Sequence, residues 1–192
     1  VGQADVSRGL RERKKHATRL AIRREAFRLF ERQGYAATTV EQIAEAAEVS
    51  QSTFYRYFSV KEAVLLSDDH TQPIVDAFIA APPGLTPVAA YRHAVQQVFS
   101  GLTEDERENA VTGQRLLYTI PDARSLVYRE YVRLIDLITD ALRHRLPART
   151  AEAERRVVAG AVVGVLIAAS DGTPLPGEAL EHALTVLDGR LS

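Results

Sequence analysis

The chain of 192 residues contains no cysteine, no methionine and no tryptophan. Without cysteine there are no disulfides, no Cys-ligated zinc and no thiol catalysis. The five histidines, His16, His70, His93, His144 and His182, form no HExxH or similar ligand pattern. Asp68-Asp69-His70 sets carboxylates beside an imidazole, but adjacent helical positions point in different directions, so no metal is expected. No Gly-x-Ser-x-Gly, P-loop or dinucleotide fingerprint is present, so neither catalytic residues nor a cofactor is expected. The longest apolar run, Val157 to Ala169, has thirteen residues and is interrupted by two glycines. A spanning helix needs about 20, so the run reads as a buried core helix and no membrane association is expected. The N-terminal stretch lacks the apolar core of a signal peptide. A cytoplasmic protein is expected.

Hydrophobic residues make up 46% and charged residues 26%, which suits a globular chain with a sizeable core. The formal net charge is only −1, but the charge is unevenly spread. Residues 8–32 hold ten Lys or Arg against three Glu, whereas residues 63–192 carry a net −5. The basic end is the place to look for a phosphate-rich partner.

Helical periodicity runs throughout, predicting an all-α fold of about nine helices. Residues 18–33 put Ile22, Ala26, Leu29 and Phe30 on one face, and Gly34 stops the helix. Thr39 and Gln42 form a capping box ahead of the stripe Val40, Ile43, Ala44 and Ala47. Ser50 caps a short helix from about Gln51 to Phe58. Ser59 and Glu62 suggest a further capping box opening a fourth helix, in which Pro73 is expected to introduce a kink. Ala81-Pro82-Pro83-Gly84 is a break, and Thr86-Pro87 starts the next helix. Thr103 and Glu106 cap another, which Pro121 ends. Val127, Tyr131, Leu134, Ile135, Ile138 and Leu142 form a stripe that stops before Pro147. The Val157 run has strand propensity, but its length and the lack of partner strands favour a helix. After the turn-rich loop Gly172–Gly177, Leu180, Leu184, Leu187 and Leu191 make the last stripe.

The informative stretch is Thr39 to Lys61. Two short helices separated by Glu48-Val49-Ser50 have the spacing of a helix-turn-helix, whose second helix enters the DNA major groove. At about 100° per residue, Phe54 and Phe58 share a buried face. Ser52 and Arg56 point the opposite way, flanked by Thr53 and Tyr55, with Gln51 in the exposed first turn. Arginine suits guanine O6 and N7, and glutamine suits adenine N6 and N7. The alternative is an aromatic core helix, but its polar face is rich for that. Lys14, Lys15 and Arg19 belong to a basic arm, residues 1–17 and the start of the first helix. Such an arm contacts phosphates or is a solvated tail, and it can be both if it orders on DNA.

The run Phe30-Glu31-Arg32-Gln33-Gly34-Tyr35, then Thr38-Thr39, Ile43-Ala44, Val49-Ser50-Gln51-Ser52-Thr53-Phe54-Tyr55-Arg56-Tyr57-Phe58 and Lys61-Glu62 resembles the DNA-binding domain of the tetracycline-repressor (TetR) family. The match covers residues 18–64, leaving 65–192 as a helical regulatory and dimerisation domain. The resemblance implies a bacterial, nucleoid-associated homodimer that binds double-stranded DNA and a small-molecule effector. Gln51, Ser52 and Arg56 would face bases. Thr39, Thr53, Tyr55, Tyr57, Lys61, Lys14, Lys15 and Arg19 would contact phosphates. Glu48 stands where the family turn usually has Gly, and a φ above zero there would cost roughly 1 kcal/mol.

In this family helices five to seven surround the ligand. Tyr91, Phe99, Gln114, Arg115, Tyr118, Tyr128 and Tyr131 are therefore candidate pocket residues, or ordinary core residues with satisfied polar groups. The last two helices would pair with their copies through Gly160, Val163, Gly164, Ile167, Leu180, Leu184 and Leu187. Gly160 and Gly164 otherwise serve close packing within one subunit. The expected function is a ligand-responsive repressor on a near-palindromic operator. The alternative is an activator or architectural DNA-binding protein whose C-terminal domain binds a protein or only dimerises.

Overall fold

In the computed structural model, which describes residues 2–66, 70–170 and 177–191, the chain forms two compact units, Val1–Leu66 and Ser67–Ser192. The described residues are helical with no strand. The first unit contains α1 (Gly2–Gln33), α2 (Val40–Ala46), α3 (Gln51–Tyr57) and a 3₁₀ turn, Lys61–Leu65. The second contains α4 (Thr71–Ala80), α5 (Pro87–Ser100), α6 (Glu104–Thr119), α7 (Arg124–Ala141), α8 (Glu152–Ser170) and α9 (Glu178–Leu191). The Val157 run lies within α8, as its length implied.

Three sequence expectations are corrected. The basic arm is not separate from the first helix, because α1 continues back to Gly2. Arg, Lys and Ala between residues 10 and 17 are good helix formers, and no proline interrupts them. Ser59 does not cap a helix with Glu62: the 3₁₀ turn starts after Val60, without a side-chain cap. The Glu62 carboxyl lies instead near the Tyr35 hydroxyl. Pro73 does not kink a helix either. It is the third residue of α4, in the first turn, where backbone N–H groups have no intrahelical acceptor to lose. Asp68, Asp69, residues 172–176 of the expected loop and the Leu191 side chain lie outside the described residues.

The first unit is built on Ile22, Ala26, Leu29 and Phe30 of α1, packed with Ile43, Ala44, Phe54, Phe58, Val64 and Leu65, all buried. In the second unit α4, α5, α7, α8 and α9 share one core, centred on Phe78, Val88, Ile138, Leu142, Val162, Val163, Leu180 and Leu184. A polar seam also joins α5 to α9: Arg92 to Thr185 (2.6 Å), Gln96 to Glu181 (3.0 Å) and Thr86 to Asp188. Between α4 and α5 the Pro82-Pro83 turn offers carbonyls but few donors. The Arg145 guanidinium donates to the carbonyls of Phe78, Ala81, Pro82 and Leu85 at 2.7–3.3 Å.

Candidate nucleic-acid interface

The α1–α2 turn is held by a chain of amides and hydroxyls. Gly34 ends α1 at φ +85°, a left-handed position that suits glycine. The Thr39 hydroxyl accepts from the Gln42 N–H (3.2 Å), and the Gln42 carboxamide oxygen accepts from the Thr39 N–H (3.0 Å). This is the expected capping box. Gln33 joins it from α1, donating from Nε2 to the same Gln42 oxygen at 3.0 Å. The sequence reading gave Gln33 no such role. Its motif position was visible, but a 33-to-42 contact has no local signature.

The α2–α3 turn is a Schellman motif. Glu48 N–H donates to the Glu45 carbonyl (3.0 Å), and Val49 N–H to the Ala44 carbonyl (2.9 Å). Glu48 takes the left-handed position at φ 54°, so the strain anticipated there is present. Ser50 then caps α3, accepting from the Thr53 N–H at 3.1 Å. Its hydroxyl also lies 2.8 Å from the Ser52 hydroxyl and 3.0 Å from that of Thr53. With the Ser50 proton directed to Thr53, the Ser52 hydroxyl donates to Ser50. Ser52 then presents lone pairs outward and Thr53 an O–H.

Phe54 and Phe58 are buried, with ring centroids 5.6 Å apart. They fix which way α3 faces. Gln51, Ser52, Tyr55 and Arg56 are exposed, Thr53 and Tyr57 half-buried, and Thr39, Lys14 and Lys15 exposed. The first unit therefore presents an amide, hydroxyls, a phenol and a guanidinium on a short helix, the donor and acceptor set that reads base edges.

Two of the nominated phosphate contacts are engaged inside the unit. Lys61 Nζ donates to the carbonyls of Tyr35 and Thr38, both at 2.9 Å, and stands over the Tyr35 ring. Arg19 donates to the Tyr57 carbonyl at 3.1 Å and stacks on the Phe58 ring. Positive charge in the right stretch was legible in the sequence, but these internal acceptors were not. Burial pushes the Glu62 carboxyl up. The nearby Tyr35 hydroxyl and its own backbone N–H, with Lys61 alongside, outweigh that and leave it below the ordinary value.

The candidate pocket residues of the second unit separate. Tyr91 is buried in the core, and burial pushes its phenol up. The Tyr118 and Tyr131 hydroxyls meet across α6 and α7. Phe99 lies against the His70 ring, with centroids 5.4 Å apart. Gln114 is half-buried, and Arg115 is exposed. Tyr128 is 71% exposed, so it does not line an interior site. The sequence reading missed Asn109, which is 7% exposed and whose Oδ1 has no hydrogen-bond partner among the described residues.

The expected dimer residues also divide. Val163, Leu180 and Leu184 are buried in the unit's own core, and Leu187 packs against it. Within the unit these stripes face its own core. Gly160 and Gly164 do not serve close packing within the chain, since an added Cβ would meet nothing within 4 Å. Val157, Gly164 and Ile167 are exposed on α8, and Val186 is exposed on α9.

A family profile described as "Bacterial regulatory proteins, tetR family" matches residues 22–67, and one described as "MftR C-terminal domain" matches residues 85–187, more than half of the chain. The chain belongs to the tetR family of bacterial regulatory proteins. It is 45% identical over 104 residues to the HTH-type transcriptional regulator TcmR of Streptomyces glaucescens, covering 52% of this chain and 45% of TcmR. It is 48% identical over 42 residues to the uncharacterized HTH-type regulator YerO of Bacillus subtilis (strain 168), 22% of this chain and 14% of YerO. The chain spans less than half the length of the curated relatives it matches. In fold it is similar to the tetR-family repressor AlkX of Dietzia sp. strain DQ12-45-1b, with TM-score 0.57 and 21% identity over 89% of this chain and 93% of AlkX. SmeT in its triclosan complex gives TM-score 0.55 and 22% identity over 88% and 91%. No helix among the described residues is long and apolar enough to cross a membrane.

Proposed function

We propose that this tetR-family chain is a transcriptional repressor that binds a near-palindromic operator as a homodimer and releases it when a small molecule occupies the second unit. The carrying observation is the sidedness of α3. Phe54 and Phe58 are buried, while Gln51, Ser52 and Arg56 are exposed on a capped helix of a helix-turn-helix. Two copies would set two such helices roughly 34–36 Å apart, one DNA turn. Thr39, Thr53, Tyr55, Tyr57, Lys14 and Lys15 would hold phosphates, fixing register while the α3 residues select sequence.

Support for a second copy comes from α8. Val157, Gly164 and Ile167 leave an apolar surface, and an added Cβ at Gly160 or Gly164 would meet nothing else in the chain within 4 Å. Support for an effector comes from Asn109. A buried acceptor without a donor costs roughly 1–3 kcal/mol, and a ligand N–H or O–H beside it would recover that.

Selection of sites from random duplex DNA with the purified chain, followed by a salt titration of the winner, tests the reading. The expected result is a palindromic sequence bound with steep salt dependence. A folded, dimeric protein that enriches no sequence would refute it. A compound that weakens the selected complex by about 5- to 150-fold would establish the effector arm.

A further inference from the structure

We propose that Arg19 is a specificity-determining positioning residue of the DNA reader, acting on the C-terminal end of α3 and not on a phosphate. The proposal rests on the DNA-reading function above. The α3 helix has only seven residues, about 10 Å of rise. A helix this short has little stability of its own, so its pose depends on what holds it. Ser50 holds its first turn, and Phe54 anchors its middle. Its last turn ends in carbonyls without intrahelical partners.

Arg19 supplies what that end lacks. Its Nη1 donates to the Tyr57 carbonyl at 3.1 Å, and its guanidinium carbon lies 4.5 Å from the Phe58 ring centroid. A cation there also opposes the negative end of the helix dipole. Tyr57 is the residue after Arg56, so the carbonyl held by Arg19 is one residue along the backbone from the side chain that would read a base. A planar fork that stacks on one ring and donates to one carbonyl sets an angle as well as a distance, which a lysine ammonium does not. Loss of the clamp would let α3 tilt about Phe54 and displace Arg56 relative to Gln51 and Ser52.

The discriminating experiment compares Arg19→Lys and Arg19→Ala with the unaltered protein. Three quantities are read: affinity for the selected duplex over unselected duplex, the salt slope, and amide exchange of α3 without DNA. Arg19→Lys is expected to keep the slope and the affinity for unselected DNA. It is expected to lose about tenfold in discrimination per half-site and to exchange faster at α3. Arg19→Ala should lose discrimination to the same extent. Full rescue by Lys, with Arg19→Ala lowering the slope by about 0.9 per subunit, would make Arg19 a phosphate contact and overturn the proposal. If the unaltered protein selects no sequence, the DNA-reading function fails. Faster α3 exchange in Arg19→Lys would then leave Arg19 a structural clamp without a role in specificity.

Discussion

The ammonium of Lys61 lies 3.9 Å from the centroid of the Tyr35 ring. Its bonds to the Tyr35 and Thr38 carbonyls engage two of its three N–H donors. Lys61→Ala is therefore expected to lower the stability of the first unit by about 1–3 kcal/mol. The salt slope of DNA binding should fall by much less than the roughly 0.9 of one phosphate contact. Thermal unfolding and a salt titration check both. A full slope decrement at unchanged melting temperature would mean that the side chain turns outward on DNA.

Glu48→Gly should stabilise the protein. Relief of the left-handed strain amounts to roughly 1–2 kcal/mol. The greater freedom of glycine in the unfolded chain offsets about 0.4–1 kcal/mol of it. The net gain, about 0–1.6 kcal/mol, is read from the midpoint of denaturant unfolding. A lower midpoint would show that the carboxylate has a stabilising partner.

Ile167→Asp and Val163→Ala separate surface from core on one helix. Ile167 is exposed and Val163 buried. Ile167→Asp is expected to yield folded monomers in sedimentation and to weaken binding to a palindromic duplex by about a hundredfold or more. Val163→Ala is expected to leave the dimer intact and to cost about 2 kcal/mol in unfolding. An Ile167→Asp protein that stays dimeric would remove α8 from the interface.

Tyr91 and Glu62 set opposite pH limits. The raised phenol of Tyr91 favours the folded state fully below its ordinary pKa of 10.0, and that contribution is lost as pH rises beyond it. Tyr91→Phe should flatten the loss of stability above pH 10, measured by denaturant unfolding across that range. The lowered Glu62 carboxyl contributes above its ordinary 4.5 and is lost as pH falls through its folded value. Glu62→Gln should therefore shrink the stability decline below pH 4.5.

Capping pairs and turn residues carried most of the fold. Thr39 with Gln42, Ser50, Thr86 with Pro87, and Thr103 with Glu106 all begin helices where their spacing required. Ser59 with Glu62 has the same spacing but failed, because the turn starts one residue later, after Val60, and takes no side-chain cap. Pro73 was misplaced because helix periodicity in the sequence continues across Leu66, whose backbone is extended. The exposed face of α3 was legible because two buried phenylalanines fix its phase. Arg19, Lys61 and Gln33 were not, since charge or amide content gives no sign of which carbonyl or carboxamide a long side chain will meet. For α8 and α9, a stripe identifies an apolar face without saying whether the same chain or another covers it.

Arg145 has a consequence for engineering. The Pro82-Pro83-Gly84 turn is exposed and rich in residues that usually mark a permissive loop. The carbonyls of Ala81, Pro82 and Leu85, in and beside it, converge on a single guanidinium that also lies against the Phe78 ring. An affinity tag or fluorescent module inserted there would pull those acceptors off their common donor and loosen the joint between two core helices. The segment looks like a place to cut the chain open and behaves as a rivet.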